Sequence, residues 1–124
     1  MDETKPMILI GGSGLVKGKV KNFGLALRNA SMKIDSQLKS IGWSDEAPFQ
    51  TLSLIIRYSH EDSRRVHLGR INKKYGELEA SIETSIEALR IAKEQEQLEI
   101  FVEELAHQVI AQVNQKYSLA TYGI

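Results

Sequence analysis

The sequence has 124 residues, 42% of them hydrophobic and 26% charged, which suits one domain (1–124) with its own core and excludes intrinsic disorder. Lys plus Arg and Asp plus Glu balance at 16 each, so net charge gives no ground for nucleic-acid binding. Zero cysteines exclude a disulfide scaffold, a thiol nucleophile, a zinc ribbon and an iron–sulfur site.

The balance conceals a division. Residues 1–74 carry 13 Lys/Arg against 7 Asp/Glu, and residues 75–124 carry 3 against 9 Glu, so a basic first part joins an acidic second part. The first apolar run, Met7-Ile8-Leu9-Ile10, is too short for a signal-peptide core or a bilayer span. The expectation is a soluble protein of the reducing cytoplasm, with no membrane partner.

Met7 to Ile10 reads as a short buried strand, stopped by Gly11-Gly12-Ser13-Gly14. The glycine-rich stretch 11–19 sits between a strand and a helix, where a phosphate loop belongs. Its spacing fails. Ser13 stands where the first glycine is needed before Gly18-Lys19, and Val20 replaces the magnesium-binding hydroxyl. A plain strand-to-helix loop fits better, with Lys17, Lys19 and Lys21 as anion contacts at most.

Over residues 20–41 the apolar positions Phe23, Leu27, Ala30, Ile34, Leu38 and Ile41 recur at three and four. They mark one face of a helix, and Gly42 stands at its stop. A turn at 44–48 precedes the β-rich run Leu52-Ser53-Leu54-Ile55-Ile56, typical of a central strand. Glu61-Asp62-Ser63 then reads as a hairpin loop, followed by a strand over 65–73 that carries Val66 and Leu68. His60 and His67 flank that loop and could face each other, but no third histidine or cysteine completes a metal cage. No cofactor motif or Ser-His-Asp arrangement is visible.

Residues 77–86 fit two patterns. Leu78, Ala80, Ile82 and Thr84 alternate as in a strand, while Leu78, Ile82, Ile86 and Leu89 also fit a helix. A strand over 77–84 and a helix from about 86 is the simpler reading, because three successive strands make an antiparallel meander. The last element is a helix over about 94–117, striped by Leu98, Phe101, Val102, Leu105, Val109 and Val113. His107 lies opposite that stripe. The expected fold is α+β, in the order β-α-β-β-β-α. It has a mainly antiparallel sheet of about four strands and two long helices on one face.

Two charged features invite a binding role. Arg64, Arg65, Arg70, Lys73 and Lys74 could meet phosphates, although only Tyr58 and Tyr75 offer stacking beside them. On the last helix Ile100 projects about 160° from the apolar stripe, among Glu96, Glu99, Glu103, Glu104 and His107. An apolar residue ringed by acids has the form of a binding patch with a polar rim.

Several segments together resemble a known family. They are Met7-Ile8-Leu9-Ile10-Gly11-Gly12 and the run from Ala47-Pro48-Phe49-Gln50 through Thr51-Leu52 to Arg57-Tyr58. With them go Ile71-Asn72-Lys73-Lys74-Tyr75-Gly76-Glu77-Leu78-Glu79 and Lys116-Tyr117-Ser118-Leu119. In this order the chain is similar to the immunity proteins of bacterial polymorphic toxin systems, in the α+β family catalogued as immunity protein thirty-nine. The resemblance implies a non-enzymatic inhibitor that binds the C-terminal toxic domain of a secreted effector, often a nuclease, in contact-dependent bacterial competition. It transfers no binding residues, and it leaves the loop 59–65 and the tail 120–124 as places of individual specificity.

A nuclease carries a basic cleft, which an acidic surface would meet with faster encounter. The expected partner-binding residues are therefore Glu96, Glu99, Ile100 and Glu103, with Glu77 and Glu79 nearby. The alternative is a nucleic-acid-binding accessory protein that uses the basic first part.

Overall fold

The computed structural model describes residues 5–14, 16, 20–61 and 63–119. Lys17, Gly18 and Lys19 of the glycine-rich stretch, Asp62 and the tail 120–124 lie outside the described residues.

Among the described residues four strands are formed: β1 (Ile8–Gly12), β2 (Thr51–Tyr58), β3 (Val66–Asn72) and β4 (Glu77–Thr84). The helices are α1 (Phe23–Ser40), α2 (Trp43–Glu46), α3 (Ile86–Glu94) and α4 (Leu98–Tyr117). The architecture is α+β, as the periodicities imply. The ambiguous stretch resolves into strand and then helix. Leu78, Ala80, Ile82 and Thr84 are buried in alternation, and Ser85 caps α3 by accepting the Ala88 N–H at 3.1 Å.

The sheet order is β1-β2-β4-β3, which corrects the meander. The sheet is mixed rather than mainly antiparallel. β1 pairs β2 and β2 pairs β4 in parallel, and only β3 and β4 form a hairpin. Burial explains the order. β4 presents an unbroken alternation of buried residues and takes a central place, whereas no residue of β3 is fully buried and it takes an edge. A bulge at Gly69–Arg70 further suits β3 to an edge. The stretch 59–65 is therefore a crossover past the end of β4, not a hairpin loop.

Ile8, Ile10, Leu52, Leu54, Ile56, Leu78 and Ile82 point from the sheet into one core with the helices. From α1 come Phe23, Leu27, Ala30, Ile34 and Leu38, at the expected spacing. Gly42, at φ 90°, takes the left-handed conformation that ends α1, and its N–H donates to the Lys39 carbonyl at 3.1 Å. Trp43 is fully buried and meets the Phe49 ring edge-on, with centroids 6.2 Å apart.

α1 also packs along β1 and reaches its outer edge. The Ile10 N–H donates to Ser31 Oγ at 2.9 Å, and the Met7 N–H donates to the Asp35 carboxylate. Among the described residues no helix is long and apolar enough to cross a membrane.

The predicted last helix begins later than its pattern suggests. Residues 95–97 break it, with Glu96 at φ 57°. The Glu96 N–H donates to the Lys93 carbonyl and the Gln97 N–H to the Ala92 carbonyl, so α3 ends in a Schellman motif before α4 starts.

Candidate functional site

α4 buries two sides, and this decides which of its polar residues reach solvent. Leu98, Val102, Leu105, Val109 and Val113 of the stripe expected from the sequence are buried, and Phe101 is half-buried. Glu103, Ala106 and Ile110, which lie outside that stripe, are buried as well, and α1 packs on α4. Glu103 lies about 60° round the helix from Ile100. Those 60° separate the α1–α4 seam from the surface.

Glu103 therefore does not stand on the outward side. It is 9% exposed, and its Oε1 lies 3.1 Å from Lys33 Nζ on α1. His107 is half-buried close to the same pair. Desolvation holds its pKa below the ordinary 6.5. Lys33 pushes in the same direction, and Glu103 and Glu104 oppose it.

Ile100 is 54% exposed, as the helical geometry requires. It shares a groove of about 270 Å³ with Ile91 and Ala88 of α3 and with Phe101 and Glu104 of α4. Ile91 is itself 44% exposed, so the apolar patch is larger than the sequence suggested. Ile91 was legible in principle, since it falls off the buried Ile86–Leu89–Ala92 side of α3. Phe101 in turn carries the Arg64 guanidinium over its ring, 4.7 Å from the ring centre.

Glu96 and Glu99 border a neighbouring hollow of about 380 Å³, together with Leu25, Asn29, Lys21 and Lys93. Glu77 and Glu79 belong elsewhere. Glu79 alternates with the buried residues of β4 and lines a concavity of about 600 Å³ on the sheet face away from the core. Glu77 shares that alternation. The six expected residues thus divide among the α3–α4 surface, the α1–α4 seam and the opposite side of the sheet.

The basic cluster divides too. Arg64 turns to Phe101, Arg70 lines the sheet concavity, and Lys73 lines a third hollow beside Lys5 and Phe49. Lys74 lies against its neighbour Tyr75. The histidines do not face each other, because β4 stands between β2 and β3. His60 Nδ1 is 2.8 Å from the Tyr58 hydroxyl, and His67 lines the sheet concavity. Among the described residues no three His, Asp or Glu side chains gather in a way that could hold a metal ion.

No curated protein and no solved structure matches the chain. A family model described as Immunity protein 39 matches residues 1–124.

Proposed function

Because the chain belongs to the immunity protein 39 family, we propose that it binds the toxic domain of its cognate bacterial toxin and silences it by occupancy, without turnover. It acts in the cytoplasm of the producing cell and protects that cell and its siblings. The toxin is a nuclease whose basic cleft complements the acidic second part of this chain. The contact surface is the α3–α4 groove, with Ile91 and Ile100 as apolar anchors, Glu104 at the rim, and Glu96 and Glu99 beyond it.

The observation that carries the reading is the pairing of Ile91 and Ile100 in one groove that Glu104 borders, with Glu96 and Glu99 in the next hollow. Most binding energy in such an interface rests on a few central apolar residues, while rim charges govern encounter. Neither isoleucine is needed by the core, so truncation leaves the fold intact.

Association and dissociation rates with the toxin domain encoded beside this chain test the surface. Ile100→Ala should speed dissociation roughly tenfold and leave association nearly unchanged. Glu96→Gln and Glu104→Gln should slow association, less so at high salt where the field is screened. Wild-type rates in all three variants would move the contact off this groove.

A further inference from the structure

The sheet face opposite the helices is built unlike a solvated surface. Two of its three ladders are parallel, and parallel strands occur almost only where both faces are covered. Here the helices cover one face. The other exposes Leu9 at 50% and, on a central strand, Ile55 at 38%. Arg57, Arg70 and Glu79 line its concavity and take part in no ion pair among the described residues.

The register fixes how side-chain sizes are laid out across it. Level with Ile55, the residues from β1 to β3 are Gly11, Ile55, Ser81 and His67: small, large, small, large. One step back on the same face come Leu9, Ser53 and Glu79, which are large, small, large, and then the β3 bulge. One step forward, Arg57 lies beside Glu83. The rows thus alternate knobs and holes, and the last carries both signs of charge.

A two-fold axis parallel to the strands, passing between β2 and β4, reverses the order of the columns and keeps the rows. It sets Ile55 against the partner's Ser81, His67 against the partner's Gly11, and Glu79 against the partner's Ser53. It also sets Arg57 against the partner's Glu83. Leu9 falls against the partner's Gly69–Arg70 bulge; Ile55, His67 and Glu79 each meet a small residue, and Arg57 and Glu83 meet as opposite charges. Rotation about such an axis keeps the strands of the two sheets aligned, which is one of the two common modes of sheet-on-sheet packing.

We propose that this face is where a second copy of the chain docks, sheet against sheet, in an isologous dimer. Four strands about 4.8 Å apart and about six residues long give a footprint of roughly 20 by 20 Å. That is small for a specific interface, so the dimer is a concentration-dependent one with a dissociation constant roughly in the micromolar range.

Sedimentation velocity on the full chain, from about 1 µM to about 1 mM to bracket that range, tests the proposal. The wild type should pass from monomer to dimer mass. Arg57→Glu and Glu83→Arg should each move that transition roughly tenfold higher in concentration. An equimolar mixture of the two should restore it, because each variant supplies the charge the other has lost. Ser81→Ile should likewise prevent pairing and Ile55→Ser/Ser81→Ile recover it, with circular dichroism confirming that each variant is folded. A wild type that stays monomeric throughout, a dimer that none of the single variants weakens, or a mixture and a double variant that both stay monomeric would overturn the proposal. No toxin enters these measurements, so their failure is separate from failure of the α3–α4 groove.

Discussion

Lys33, Glu103 and His107 form the polar part of an otherwise apolar helix seam, and their burial makes them matter for stability rather than recognition. Glu103 is held by a lysine whose side chain is 54% exposed, so much of the pair's attraction is screened by water. Lys33→Ala should still destabilise the fold by about 1–2 kcal/mol, because it leaves a buried carboxylate without its cation. Urea unfolding at neutral pH measures this. His107 adds a pH dependence of definite sign. Its folded pKa lies below 6.5, so as pH falls through that value the unfolded chain takes up a proton that the folded seam resists. Stability is therefore retained above pH 6.5 and lost as pH falls through the lower folded value. His107→Gln should flatten this dependence, which comparison of urea midpoints at pH 5.5 and 7.5 will show. None of this was legible in the spacing of α4 alone. Ile100 and Glu103 both lie off its apolar stripe, and only the position of α1 distinguishes them.

At the scale of elements, the sequence carried most of the fold where a pattern had one physical cause. α1 shows a single apolar face and a glycine at its stop, and the structure bears both out. The strand reading of 77–84 holds because alternation persists up to Ser85, whose hydroxyl then caps a helix. Strand order was hidden, since pairing depends on how deeply each strand is buried and not on its neighbours in sequence. The break between α3 and α4 was hidden for a different reason: a Schellman motif usually shows a glycine, and here Glu96 takes that place. A left-handed conformation strains a residue that has a Cβ. Glu96→Gly should therefore stabilise the protein by about 0.5–1 kcal/mol. Thermal unfolding will register the gain, whereas Glu96→Gln should leave stability unchanged.

Across the whole molecule, the division of charge along the chain does not become two uniform surfaces. Basic side chains from 64–74 reach the helix layer, the open sheet face and the end of the sheet, and Glu79 lies in the same concavity as Arg70. Neutralising several phosphates along one track is what gives nucleic-acid binding its strength. With its cations dispersed, this chain should bind DNA or RNA no more tightly than roughly 10 µM at physiological salt, without base preference. Fluorescence anisotropy with labelled oligonucleotides checks both points. A different consequence follows from the way Ser31 of α1 takes the outer N–H of Ile10 in β1, while Asp35 takes the N–H of Met7 just before the strand. Runaway fibre growth by strand addition needs two free edges on every subunit, one to receive and one to offer. In this sheet the first helix, α1, obstructs one of them. Edge-to-edge association through β3 alone therefore leaves each molecule no second, equally open edge on which another could template.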